Sequence, residues 1–278
     1  MPARLALVQL KVTASKEANL ANARCKVLEA ALKGARIVVL PECFNSPYGT
    51  SFFPKYAEPL DNGPSAVALS QMARDAKVYL VGGSFPESSA NGDGKFFNTS
   101  TIWGPNGDRL AVHRKVHLFD IDIPGKQTFK ESSVLSAGNE ITTFDSPIGK
   151  IGVGICYDIR FPELAMIAAR RGCVAMIYPG AFNMTTGPLH WELLQRARAI
   201  DNQMYVAACS PARDTEASYV AWGHSTIVNP MGEVVAKLDE MEGIVYADLD
   251  VGFLETSRQN IPVTSQRRFD VYPDVAKV

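Results

Sequence analysis

The chain has 278 residues, 46% of them hydrophobic and 21% charged, which is a composition able to bury a sizeable core without disulfide or metal staples. Lys plus Arg (28) nearly balances Asp plus Glu (29), so a net charge of -1 gives no electrostatic basis for binding nucleic acid or an anionic membrane surface. No apolar stretch approaches the roughly 20 residues of a membrane helix. Five cysteines, odd in number and widely spaced, argue against a disulfide framework.

In chain order, Leu5–Leu10 is a continuous apolar run, the pattern of a buried strand. It leads into a helix over Ser15–Lys33, with apolar residues at Leu20, Ala23, Val27, Leu28 and Ala31 and a stop at Gly34. Ile37–Leu40 is a second buried strand closed by Pro41. A helix over Ser65–Ala76 and a strand at Val78–Val81 continue the α/β alternation. Thr99–Trp103 and Arg109–Val112 flank Gly104-Pro-Asn-Gly-Asp108, whose Asn-Gly pair predicts a tight hairpin. The order then recurs: strand Ile151–Ile155, helix Pro162–Arg171, strand Val174–Tyr178 closed by Pro179, helix Leu189–Asn202 and strand Met204–Ala207. A second hairpin follows at His224–Ala236, where Ser225-Thr-Ile227 echoes Ser100-Thr-Ile102.

This internal duplication predicts two α/β halves packed sheet against sheet, a four-layer α-β-β-α sandwich. The expected organisation is one domain over residues 1–250 and a tail over 251–278, with little periodicity, that packs on the body or on a dimer partner. Two separate domains are the alternative, although no Pro/Gly/Ser-rich linker divides the halves. The start of the chain has no signal-peptide pattern, so the expected address is cytoplasmic, with a mitochondrial fraction left open.

Cys156 follows the strand Ile151–Ile155, ahead of a helix signal at Phe161-Pro-Glu163. A thiol in such an elbow lies near a helix N-terminus, which favours thiolate, and adjacent N–H groups can face an oxyanion. Glu42, after Pro41, has Gly180 as its counterpart in the second half. If buried, it becomes a candidate general base. Lys115 could supply a fixed charge to an oxyanion. Each residue alone has a plainer reading: a buried small hydrophobe, a structural ion pair, a solvated cation.

Competing chemistry finds less support. Gly152-x-Gly154 lacks the third glycine of a dinucleotide fingerprint, and no phosphate-binding loop occurs. Gly223-His-Ser-Thr-Ile227 does not complete a serine-hydrolase elbow. His113 and His117 have zinc-like spacing but flank strand-like sequence, so neither a metal nor a cofactor is expected.

Three blocks, Leu40-Pro-Glu-Cys-Phe44, His113-Arg-Lys-Val-His-Leu-Phe119 and Gly154-Ile-Cys-Tyr-Asp-Ile-Arg-Phe-Pro-Glu163, resemble the glutamate, lysine and cysteine motifs of the nitrilase (carbon-nitrogen hydrolase) superfamily. The resemblance spans essentially the whole chain. It implies Glu42 as general base, Lys115 as stabiliser of the tetrahedral intermediate, Cys156 as nucleophile and the Tyr157 N–H as oxyanion donor. It also brings in Glu131, which the sequence alone would place in an exposed loop, and it implies the sandwich fold and a homodimer.

Phe119–Gly125, Gly180–Pro188 and His190–Arg198 are most similar to the omega-amidase branch. The implied reaction is hydrolysis of the terminal amide of 2-oxoglutaramate or 2-oxosuccinamate through a Cys thioester. A substrate carboxylate remote from the amide needs a cation. Arg160 is the candidate, with Phe182 as an apolar wall and Thr186 as a hydrogen-bond donor; the alternative is that Arg160 pairs with Glu163 or Asp158. Rival readings are an amidase acting on deaminated glutathione, a nitrilase, and a catalytically silent scaffold.

Overall fold

The computed structural model of the chain describes residues 3–125, 127–272, 274 and 276. Strand β1 (Ala3–Gln9) leads to helix α1 (Lys16–Leu32), which starts where the Ser15 side chain accepts the Ala18 N–H. Then come β2 (Ile37–Val39), the short α2 (Phe53–Tyr56), β3 (Glu58–Pro59), α3 (Pro64–Ala76), β4 (Tyr79–Val81) and β5 (Phe85–Ser88). The first hairpin is β6 (Phe96–Trp103) with β7 (Arg109–Arg114), followed by a small ribbon of β8 (Asp120–Ile123) and β9 (Gln127–Lys130). The second half runs β10 (Thr142–Ser146), β11 (Gly149–Val153), α4 (Pro162–Arg170), β12 (Cys173–Pro179), α5 (Gly187–Asn202), β13 (Tyr205–Cys209), β14 (Thr226–Val228), β15 (Val234–Lys237) and β16 (Gly243–Leu249). It ends in α6 (Val251–Asn260) and α7 (Val263–Gln266).

The expected duplication is visible in the sheets. β1, β2 and β4 are parallel neighbours extended by antiparallel β6 and β7, and β11, β12 and β13 repeat the arrangement with β14 and β15. Alternation along β1 sorts the core. Leu5 and Leu7 join the cluster shared with Ile151, Val153 and Ile177 of the second sheet, whereas Ala6, Val8 and Leu10 join the one holding Val27 of α1 and Leu69 of α3. With α4 and α5 on the outer face of the second sheet, the layers read α-β-β-α, as expected.

Several elements escaped the sequence reading. β16 pairs with β1 along its whole length, from Ala3 opposite Leu249 to Gln9 opposite Gly243, so the end of the second half completes the first sheet. A strand from the end of the second half therefore lies in the sheet of the first. The hairpin turn at 104–108 is wider than expected: Gly107 alone takes positive φ, and the Gly104 N–H donates to Asp108 across the loop. The segment after Asp250, expected to lack periodicity, contains α6, capped by the Asp250 side chain on the Gly252 N–H. Its Arg258 donates to the carbonyls of Gln203 and Cys173, tying the helix to the body. Pro273, part of the expected tail, lies outside the described residues. Among the described residues no helix is long and apolar enough to cross a membrane.

Candidate active site

Two loops and two short 3-10 turns converge. Glu42 follows β2 in a loop held by Ser84, which donates its N–H to the Pro41 carbonyl, accepts the Cys43 N–H on its hydroxyl and accepts the Phe44 N–H on its carbonyl. The neighbouring Gly83 has φ +59°, and a Cβ there would lie 2.2 Å from the Pro41 oxygen, so glycine permits this close approach. Lys115 follows β7, donating its N–H to Asn98 O, while its own carbonyl accepts from Gly138. Cys156 opens a 3-10 turn over Cys156–Arg160 with φ +46°, a strained value for a residue with a side chain. Glu131 begins another 3-10 turn after β9.

The side chains of Glu42, Lys115 and Glu131 are all fully buried. Lys115 Nζ lies 3.0 Å from Glu42 Oε1 and 2.9 Å from Glu131 Oε2. Asn98 Nδ2 also donates to Glu42 Oε1 at 2.9 Å. Among the described residues no nitrogen or oxygen donor reaches the buried Glu42 Oε2, and the Cys156 thiol interacts with this carboxylate. Glu131 accepts from the Tyr48 hydroxyl at 2.6 Å and from the Phe119 N–H at 2.7 Å, in addition to Lys115. Those three donors explain why it is buried and not in an exposed loop. The buried amine gives two carboxylates a common partner, and only tertiary packing can supply that.

Burial raises the Glu42 carboxyl above the usual range; Lys115 opposes this and the charge on Glu131 adds to it. Burial also works against the Lys115 ammonium, but the two carboxylates outweigh it and hold the amine charged. The Cys156 thiol is pushed well up, first by burial and then by the Glu42 charge, against the pull of Lys115 and a backbone bond at Ala181. This corrects the expectation that a helix N-terminus favours thiolate. The turn is a short 3-10 helix set beside a carboxylate, and both burial and that charge favour the thiol over the thiolate.

Arg160 pairs with neither Glu163 nor Asp158, and among the described residues it makes no carboxylate ion pair. Its Nη1 lies 3.1 Å from His190 Nδ1, its guanidinium carbon sits 4.7 Å from the Phe182 ring centre, and its buried Nε has no hydrogen-bond partner among the described residues. Phe182 meets Trp191 edge-on and forms an apolar wall beside this cation. Thr186 differs from expectation: its hydroxyl donates to Asn183 Oδ1 at 3.1 Å, so an oxygen lone pair is free and the proton is already engaged. Tyr157, second in the 3-10 turn, leaves its N–H in the unsatisfied first turn.

Sequence reasoning missed Asn98, Tyr48 and Tyr219, none of which has a local signal; it weighed Asp158 only as a partner of Arg160 and met His190 only inside a motif block. His113 and His117, weighed as metal ligands, both point at the Asp158 carboxylate. Ser225 is tied to Gln9 and Ser210 in the core. A cavity of about 480 Å³ lies behind Cys43, Tyr48 and Tyr219, also lined by Lys11, Ser46 and Asp214; Cys156 and Arg160 do not border it.

A duplicated α-β-β-α sandwich with a buried Glu–Lys–Glu cluster beside a cysteine elbow is the architecture of a carbon-nitrogen hydrolase. The sequence profile of that class, carbon-nitrogen hydrolase, matches residues 4–259, and the chain belongs to this family. It is 58% identical over 269 residues to omega-amidase NIT2 of Homo sapiens, covering 97% of this chain and 96% of that protein. A hydrolase of Schizosaccharomyces pombe is 60% identical over 273 residues, covering 98% and 84% of the two chains. Among solved structures, Saccharomyces cerevisiae Nit3, described as a member of branch 10 of the nitrilase superfamily, superposes with a TM-score of 0.89 at 49% identity, covering 96% of this chain and 97% of that one.

Proposed function

We propose that the chain is an omega-amidase that hydrolyses the terminal amide of 2-oxoglutaramate or 2-oxosuccinamate. The observation that carries this reading is the Arg160 guanidinium, which meets no carboxylate among the described residues and lies beside the apolar face of Phe182 and near Cys156, ready for a substrate carboxylate. The similarity to omega-amidase NIT2 over nearly the full length supports the same substrate class.

In this reading Glu42 takes the Cys156 proton and the sulfur attacks the amide carbon. Lys115 and the Tyr157 N–H receive the charge developing on oxygen, and Glu131 keeps Lys115 in place. Glu42 returns the proton to nitrogen, the C–N bond breaks and ammonia leaves a thioester. Water, deprotonated by Glu42, attacks that thioester; the C–S bond breaks, the sulfur regains its proton and the dicarboxylate departs. The sum is amide plus water giving acid plus ammonia, with every proton accounted for by the chain's own residues.

We also infer a homodimer. The outer face of α5 exposes Leu189 (63%), Leu193 (63%) and Ile200 (50%), with Met231 of the neighbouring hairpin continuing the apolar surface. All five cysteines are unpaired, which suits a reducing cytoplasmic or mitochondrial compartment.

The test is ammonia release from 2-oxoglutaramate and from deaminated glutathione by the wild type and Cys156→Ala. Cys156-dependent release that favours 2-oxoglutaramate is expected. Preference for deaminated glutathione would move the substrate class, and release that persists in Cys156→Ala would refute the nucleophile.

A further inference from the structure

Lys115 and Cys156 belong to opposite sheets, and their separation has to be set to within a few tenths of an ångström for charge on a tetrahedral oxygen to be met. One fully buried carboxylate touches both segments. Asp158, two residues after Cys156, accepts the Ile155 N–H at 2.8 Å and faces His113 Nε2 at 3.0 Å through Oδ2. Its Oδ1 accepts the His117 N–H at 2.9 Å and faces His117 Nδ1 at 2.8 Å. An ionised carboxylate is acceptor-only, so each ring presents an N–H to it. His113 and His117 stand two residues before and two residues after Lys115, so a single side chain of the nucleophile turn touches both flanks of the lysine; Thr142 of β10 adds a contact on the His113 side.

We propose that Asp158 is a positioning residue that sets the distance between the Lys115 ammonium and the Cys156 sulfur by holding the lysine segment at both flanks. The proposal rests on the roles given above to Lys115 and Cys156. Both Asp158 oxygens are occupied by these donors, so Asp158 takes no part in the proton transfer. What it contributes is the register between two loops that no strand pairing joins. Capping the turn at Ile155 alone would require only one of its contacts, whereas three of the four reach across to the lysine segment.

Two variants separate positioning from folding. Asp158→Asn replaces one acceptor oxygen by an N–H₂ group facing donors. His117→Phe removes only the Nδ1 contact and preserves the ring stack on Phe161, whose centroid is 3.6 Å away at an 8° interplanar angle. Both are assayed for kcat, KM, the acid limb of kcat/KM against pH and the thermal midpoint, beside Cys156→Ala. The groups facing Glu42 are Lys115, Glu131, Cys156, Cys43, Tyr48 and Tyr219. Loosening Lys115 leaves Glu42 with less positive charge, so the acid limb moves to higher pH.

The expected result is a roughly tenfold or greater fall in kcat for each variant, KM within about twofold, and that upward movement of the limb. Wild-type kcat and an unmoved limb in folded His117→Phe would overturn the proposal, as would a fall that only tracks the folded fraction. Should Asp158→Asn fail to fold, His117→Phe decides. Inactive Cys156→Ala together with wild-type-like His117→Phe defeats this proposal alone; active Cys156→Ala defeats the reading of the site and this proposal with it.

Discussion

Replacing Arg160 with methionine separates recognition of the substrate carboxylate from the chemistry at Cys156. The guanidinium pairs with no carboxylate among the described residues, so its removal leaves no buried anion behind. The methionine retains an apolar stem against Phe182, and the main losses within the protein are the His190 contact and the stacking. An entering carboxylate would gain one charge-assisted interaction of about 1.5–3 kcal/mol. At about 1.4 kcal/mol per tenfold, its loss lowers kcat/KM for 2-oxoglutaramate by roughly 10- to 150-fold. Butyramide, which has no carboxylate, should lose little. The assay is ammonia release from both amides at matched enzyme concentration, with fold checked by circular dichroism. An equal fall on both amides, or no fall on either, would refute the assignment of Arg160 to the carboxylate.

Four further outcomes follow from the buried carboxylates and the exposed helix. Because the folded-state pKa of Glu42 is raised, its ionisation costs stability once pH exceeds its unfolded value, and Glu42→Gln should match or exceed the wild-type thermal midpoint at pH 8, with the difference shrinking toward acid, while losing turnover; a clear drop in midpoint at pH 8 would contradict this. The acid limb of kcat/KM should lie above the ordinary glutamate value of about 4.3, since Glu42 must be ionised to accept the thiol proton. Asp158 stays ionised through that limb, because its two histidine partners outweigh burial and depress its carboxyl; its stabilising contribution is present above the unfolded value of about 3.9 and is lost as pH falls below it, which acid titration of Asp158→Asn against wild type would reveal. Finally, Leu193→Asp on α5 should leave monomer stability within about 0.5 kcal/mol but dissociate the proposed dimer, read by light scattering after gel filtration. An unchanged dimer mass would place the interface elsewhere.

Apolar periodicity determined the parallel strands β1, β2, β4, β11, β12 and β13 and helices α1, α3, α4 and α5, because each buries a continuous run or a single face set by local spacing. The echo of one hairpin in the other was enough to deduce two stacked halves, and the motif blocks singled out Glu42, Lys115 and Cys156. The short strands β3 and β8 and the longer β16 carry no comparable local signal: β16 is half-exposed, and its place is set by pairing with β1, more than 200 positions away in the chain. The burial of Glu131 likewise depends on Lys115, Tyr48 and the Phe119 N–H meeting at one point, and the protonation of Cys156 depends on the charge of Glu42 in a dry site. Local spacing encodes which face of an element is apolar. It holds no record of which charges will share a cavity once two sheets close, and the tertiary structure alone decides that, because the energy of a buried charge is fixed by its partners and not by its neighbours in sequence.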